Sequence, residues 1–209
     1  MNVVSQDPAA RRRSRLSLIF VLGMFAAPLA IAWLVISVFP EWAPKGKANH
    51  GELVNPVRPL PEFQLKTLSG DALDERFFRG KWTMVYLAQG TCDHPCVEQL
   101  YNIRQVRLAQ GKNIDRLQRL LLWKAEGTSG EQRSELQTHF PGQVIVPLSD
   151  QGSPALLKTF ALDAKQPLDA RRVYLVDPLG HLMMSYEPGD EPRGMIKDLE
   201  RLLKYSGLG

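Results

Sequence analysis

Cysteine is nearly absent: the 209 residues contain 2, Cys92 and Cys96, set three residues apart. Several chemistries are missing altogether. No Gly-rich phosphate loop, no paired-carboxylate pattern, no Ser/His/Asp set and no C-x-x-C-H haem attachment occurs, which sets aside a nucleotide hydrolase, a glycosidase-type enzyme, a serine hydrolase and a c-type cytochrome. A basic face is missing too. The formal net charge is +4, but four of the 26 basic residues and only one of the 22 acidic ones fall in residues 1–15, which leaves 22 against 21 elsewhere. A nearly neutral body with no aromatic–basic run is not built for nucleic acid. Internal repeats and low-complexity tracts are also lacking.

What is present begins with one long apolar run. Leu16 to Phe39 contains no charged residue and is long enough to cross about 30 Å of hydrocarbon; Pro28 within it is tolerated in spanning helices. Arg11, Arg12, Arg13 and Arg15 precede it directly, so the excess of arginine predicts residues 1–15 as a cytoplasmic tail, 16–39 as a single transmembrane helix, and everything after it outside. In a bacterium that means an inner-membrane protein with a periplasmic domain. A cleaved secretory signal is the competing reading. The length of the run and the lack of a small-x-small site after Phe39 oppose it. Residues 40–61, with Pro40, Pro44, Pro56, Pro59 and Pro61, read as an extended periplasmic linker, leaving 62–209 as the folded domain.

Within that domain, periodicity predicts a small hairpin around Ser69-Gly70 and a central apolar strand, Thr83 to Ala88. A helix follows over Val97 to Gln110, with an apolar arc of Val97, Leu100, Tyr101, Ile103 and Leu108 that also takes in Arg104 and Arg107. Two bland and sharp accounts of those arginines compete: snorkelling at a core margin, or docking of an acidic partner. Next come a strand over Leu117–Trp123, a helix capped by Ser129 and Gln132, and a strand over Val144–Val146. Ser153-Pro154 opens a helix to about Leu162, Val173–Val176 and His181–Tyr186 form a hairpin around Asp177-Pro178-Leu179-Gly180, and Pro192–Tyr205 is the last helix. Alternation of this kind implies an α/β fold, a mixed sheet with helices on both faces.

The cysteines sit where the central strand turns into its helix. Cys96 at the helix N-terminus faces unpaired N–H groups and the positive end of the dipole, which favours a thiolate. A disulfide that merely staples the loop is the plain alternative, but closing so short a loop removes little unfolded-state entropy. Two chemistries remain. Paired thiolates suit Cu(I), a soft ion, with His94 between them as candidate third ligand. Alternatively Cys92, at the exposed end of the turn, attacks a partner's disulfide and Cys96 resolves the mixed species. His181 qualifies as a ligand only if its end of the hairpin faces the cysteines. Met183 and Met184 point to opposite sheet faces, so at most one serves, and core filling is their ordinary role. His50 and His139 read as bystanders, and Asp169 as a solvated loop carboxylate.

Taken together, Cys92-x3-Cys96 after a strand, Tyr174-Leu175-Val176-Asp177-Pro178-Leu179-Gly180 before a hairpin, and the N-terminal anchor resemble the thioredoxin superfamily, and within it the Sco/SenC branch, over residues 60–205. Asn49-His50-Gly51-Glu52-Leu53, Arg58-Pro59-Leu60-Pro61 and Arg104-Gln105-Val106-Arg107-Leu108 resemble a small membrane protein encoded beside oxidase subunits. The resemblance implies a thioredoxin-like domain on a membrane anchor. It also implies a role in assembling the copper centre of a cytochrome c (haem–copper) oxidase, by Cu(I) delivery or thiol reduction. The implied partners are the copper-site oxidase subunit and another copper carrier. A general periplasmic thiol–disulfide oxidoreductase and a non-catalytic assembly scaffold are the other functions that it leaves open. Departures from the family's pattern are concrete. Asp169 stands where Sco proteins carry their third copper ligand, a histidine; Pro95 precedes the second cysteine instead of following it; and no proline precedes Val173, where thioredoxins place theirs.

Overall fold

The computed structural model describes residues 8–38, 49–148, 154–163 and 166–207. The chain divides into two units, Met1–Ala48 and Asn49–Gly209. The first contains α1, Pro8–Val38, of which Arg15–Val38 is long and apolar enough to cross a membrane. Phe39 and the predicted linker as far as Ala48 lie outside the described residues.

The second unit is a six-stranded sheet in the order β1-β8-β7-β4-β5-β6, together with a separate two-stranded hairpin, β2 (Gln64–Lys66) and β3 (Ala72–Asp74). β4 (Trp82–Gln89) is central. It pairs in parallel with β5 (Leu117–Lys124), which pairs in parallel with β6 (Val144–Pro147). On its other side β4 pairs antiparallel with β7 (Val173–Val176), followed by β8 (His181–Tyr186) and β1 (Glu52–Pro59), all antiparallel. The expected mixed α/β sheet is therefore present. β4 and β5 are near-continuous apolar runs because both of their faces are covered. One face, with Met84, Tyr86, Leu121 and Trp123, packs on α2 (His94–Ala109), α3 (Gly130–His139) and α5 (Pro192–Tyr205). The other, with Val85, Leu87, Leu120 and Tyr174, packs on α4 (Pro154–Phe160) and the loop aromatics Phe63 and Phe78.

Local signals account for the element ends. Ser129 and Gln132 make the reciprocal capping box at the start of α3. The turn Asp177–Gly180 closes the β7–β8 hairpin, with Gly180 donating to the Asp177 carbonyl at 3.0 Å. Ser153, expected to cap α4, lies outside the described residues.

Two expectations are corrected. Residues 52–59, assigned to the linker, are strand β1 at the edge of the main sheet. Prolines suit an edge, where a missing N–H breaks no inner ladder; the register with β8 is irregular between Leu53 and Arg58, the interval that holds Pro56. Only Val54 in that strand is buried, so no alternation marked it. The apolar arc of α2 is also displaced by about one position. Its buried residues are Cys96, Leu100, Ile103 and Val106, while Val97 and Tyr101 are 42% and 53% exposed.

Candidate functional site

The site is built at the carboxyl end of β4. Gly90 takes a positive φ of 70°, a conformation glycine adopts without Cβ strain, and turns the chain out of the strand. It is clamped from β5: its N–H donates to the Lys124 carbonyl at 2.8 Å, and its carbonyl accepts the Trp123 indole N–H at 2.8 Å. Asp93 then caps α2. Its carboxylate accepts the Cys96 N–H at 3.2 Å and its carbonyl accepts the Val97 N–H at 3.0 Å. Pro95 falls in the first turn, where the helix has no use for its missing N–H. That is why proline precedes Cys96 here at no structural cost.

Cys92 and Cys96 are joined in a disulfide, with their Cα atoms 5.2 Å apart. The two sulfurs are not equivalent. Cys96 is 3% exposed within the core beneath α2, whereas Cys92 is half-buried and lines an open groove. The groove, of about 710 Å³, lies between α2 and α3 and is also lined by His94, Val97 and Phe140.

On the other flank of β4, the loop 169–172 leads into β7 and reaches back to the cysteine turn. Arg171 adopts a left-handed φ of 49° and aims its guanidinium at Asp93, with contacts of 3.2 and 3.1 Å to the two carboxylate oxygens. This fork on a carboxylate is the bidentate geometry that arginine favours. The Arg171 guanidinium is the main reason that Asp93 is held below its ordinary pKa, and the Cys96 N–H adds to the effect. Asp169 accepts a hydrogen bond from the Gln89 side-chain amide at the end of β4. Beneath the turn, Tyr86 is pushed up to about 12, chiefly by burial. Buried Arg172 is ion-paired with Asp163 at 2.9 Å and with Glu187.

The remaining predicted ligands are scattered. His94 is exposed in the first turn of α2 and lines the groove beside Cys92. His181 is at the far end of the sheet: β7 pairs antiparallel with β4, so the β7–β8 turn lies by the start of β4, where Gly80 donates to the Pro178 carbonyl at 3.0 Å. There the His181 ring meets Asp177 at 3.2 Å. Met184 is buried core, with its sulfur 3.0 Å from the Tyr186 hydroxyl oxygen, and Met183 is partly buried. His50 pairs with Asp198 on α5 at 3.3 Å, and exposed His139 contacts the Glu135 carbonyl within its own helix.

Among the described residues, no three His, Cys, Asp or Glu side chains converge in a way that would hold a metal ion. Once reduced, the pair supplies two soft sulfur donors. Asp169 offers only hard oxygen and is engaged by Gln89. The residues therefore do not complete a copper site of two thiolates and an imidazole.

Sequence reasoning missed Asp93 and Arg171. Asp93 was legible: an Asp three residues before Cys96, with proline in the first turn, is an N-cap signal. Arg171 carried no such signal, because its role depends on a left-handed backbone and on a loop brought in across the sheet.

A central strand flanked by a parallel and an antiparallel neighbour, with a cysteine pair where it meets its helix, defines a thioredoxin-like domain. Residues 82–206 match the family described as "Transmembrane-like, thioredoxin-like, C-terminal domain", and the chain belongs to it. Solved structures agree on the fold. Copper-bound ScoI from Bradyrhizobium japonicum is 19% identical, with 68% of this chain and 98% of that one covered and a TM-score of 0.56. Yeast Sco1 is 17% identical, with 75% and 100% covered and a TM-score of 0.61. The thioredoxin domain of a thiol-disulfide oxidoreductase from Bacteroides vulgatus is 15% identical, with 69% and 95% covered and a TM-score of 0.53. A search of curated proteins found no match.

Proposed function

We propose that this protein is a membrane-anchored thiol–disulfide reductant that serves the assembly of the copper centre of a haem–copper oxidase. Its domain, residues 62–209 with the edge strand β1, works on the periplasmic side of the inner membrane, and the arginines before the apolar run of α1 stay in the cytoplasm. The observation that carries the reading is the inequality of the two sulfurs: Cys92 opens on a groove, and Cys96 is buried at the third position of α2.

Reduced Cys92 attacks one sulfur of a disulfide in the partner and forms a mixed disulfide, releasing the partner's other cysteine as a thiolate that takes up a proton. Cys96 then loses its proton and displaces the partner's first sulfur. Two electrons pass to the partner, which leaves as a dithiol, and the Cys92–Cys96 disulfide seen here is the product. An external dithiol reductant must restore the pair. On the partner, the natural target is the cysteine pair that binds copper, since those cysteines ligate as thiolates and not as a disulfide.

The full chain in detergent micelles, reduced and mixed with an oxidised copper-site subunit, tests this. Cys96→Ser should trap a mixed disulfide through Cys92, and Cys92→Ser should abolish it. Equal reduction by wild type and Cys92→Ser would refute the assignment. A second reading, Cu(I) carriage between Cys92 and Cys96 with His94 as an added ligand, draws support from the copper-bound state of the Bradyrhizobium ScoI relative and from the place of His94 on the groove rim. Anaerobic Cu(I) titration against a chelator decides it. Binding no stronger than that of a simple dithiol peptide, and unchanged by His94→Ala, rejects carriage. Normal oxidase maturation in the Cys92→Ser/Cys96→Ser double variant would leave only a scaffold.

A further inference from the structure

The groove beside Cys92 lies on the β5 side of the site, across β4 from the loop that carries Asp169 and Arg171. Its apolar lining includes two side chains that the folded domain leaves uncovered, Val97 and Tyr101, backed by Leu136 of α3 and Phe140 at its C-cap. At the end away from the cysteines stands Arg104, with no acidic partner among the described residues. Behind it are two more guanidinium groups. Arg107 gives its Nε–H to the Leu117 carbonyl at 2.7 Å. Arg119, 3% exposed, gives one N–H to the Pro141 carbonyl at 2.7 Å, and its Nε and Nη1 have no partner. Burial first, then Arg107 and Arg104, push Arg119 down to about 10, and no carboxylate offsets them. Three arginines without an ion-paired acid leave positive charge unmatched at this end of the groove. Of the two acids that line the groove, Glu98 precedes Arg104 by six residues of helix, or ~9 Å, and Glu135 of α3 makes no ion pair with it.

We propose that this groove binds an extended segment of the protein whose disulfide Cys92 attacks, and that Arg104 holds an acidic side chain of that segment. The proposal rests on the exchange function given above and adds the specificity determinant. From His94 to Arg104 the helix advances ~15 Å. An extended chain at ~3.4 Å per residue covers that span in about four or five residues. The recognised partner therefore carries Asp or Glu about four or five residues from the target cysteine, with an apolar side chain between them over Tyr101 and Val97.

The test uses the full chain in detergent micelles and two fluorescein-labelled eight-residue peptides. Both carry serine in place of the target cysteine and a central phenylalanine; the fifth residue beyond the serine is Asp in one and Lys in the other. Wild type should bind the Asp peptide about tenfold more tightly, and Arg104→Glu should reverse the preference. Equal binding of the two peptides to wild type would overturn the proposal, and that comparison needs no variant to fold. Peptide displacement by self-association of the chain at rising concentration would also overturn it, in favour of a second copy in the groove. Because the peptides contain no sulfur, a charge preference without any disulfide reduction would sink the exchange function alone. Wild-type reduction of 2-hydroxyethyl disulfide, followed on the same preparation, gives the separate readout of the chemistry.

Discussion

Trp123 is where the core meets the cysteine turn, and Trp123→Phe probes that joint. The indole is fully buried, and its N–H is the strong donor to the Gly90 carbonyl; the Thr128 hydroxyl, at 3.5 Å, is at the limit of a bond. Phenylalanine keeps the apolar face but removes the donor, which costs about 1 kcal/mol and more where the acceptor stays buried. It also leaves a void on the order of 40 Å³, worth roughly 1 kcal/mol at about 24 cal/mol per Å³. The domain should therefore lose about 2–3 kcal/mol in urea unfolding of the full chain in micelles, read by far-UV circular dichroism. Thr128→Ala should cost under about 0.5 kcal/mol, since its bond is long. Hydrogen exchange adds a local readout: the Gly90 amide, which donates to the Lys124 carbonyl, should lose protection in Trp123→Phe by more than the global change explains. A Trp123→Phe loss below about 0.5 kcal/mol, or a Thr128→Ala loss as large as that of the indole, would refute the clamp.

Arg171→Gln removes the main cause of the lowered Asp93 pKa, so a carboxyl-carbon NMR titration should show that pKa rising toward 3.8. A carboxylate with a depressed folded pKa contributes stability that is present above its unfolded pKa and is lost as pH falls through the folded one. The variant should therefore show a shallower loss of stability below about pH 4, and an unchanged acid limb would contradict the pairing. Asp198→Ala strips the acceptor from the His50 and Gly51 N–H groups, each 2.9 Å away at its nearer oxygen, and from the Tyr186 hydroxyl at 3.3 Å. We expect a loss of about 3–5 kcal/mol and proteolytic cleavage around Gly51 before the sheet unfolds; cleavage that tracks global unfolding would show that the segment is not latched there. Leu121→Ala, in the centre of β5 with no exposure, should cost about 2–5 kcal/mol in the same unfolding assay.

Most of the architecture was legible because burial and periodicity coincide. Strands β4, β5 and β7 are mostly apolar, and capping at Ser129 and proline at Pro192 mark helix starts in the local chemistry. The misreadings fall where local chemistry and tertiary role part. Pro56 and Pro59 punctuate a segment that nevertheless pairs, because an edge strand tolerates them. In α2 the apolar residues cover more of the circumference than the core needs. Periodicity thus assigns Val97 and Tyr101 to the core, whereas their exposure is what gives the groove its lining. Asp198 went unnoticed because an acid on the inner face of α5 makes sense only once His50 and Gly51 lie against it.

The loop before β7 shows why the missing histidine matters beyond a count of ligands. Where the resemblance to Sco proteins expects an imidazole turned toward the sulfurs, Asp169 is held by Gln89 and Arg171 grips Asp93. Each contact ties the loop to one side of the cysteine turn, the first to the end of β4 and the second to the cap of α2. A reduced pair would place new negative charge beside a carboxylate already there, and that repulsion disfavours thiolate. Arg171, by neutralising Asp93, removes the penalty without itself ligating anything. The same help reaches a thiolate that attacks a disulfide and one that ligates Cu(I), since both need the ionised form. For Cu(I) the loop adds no third donor, because a guanidinium has no lone pair to offer. The loop thus gives the proposed exchange function ionised sulfurs, and gives copper carriage no further ligand.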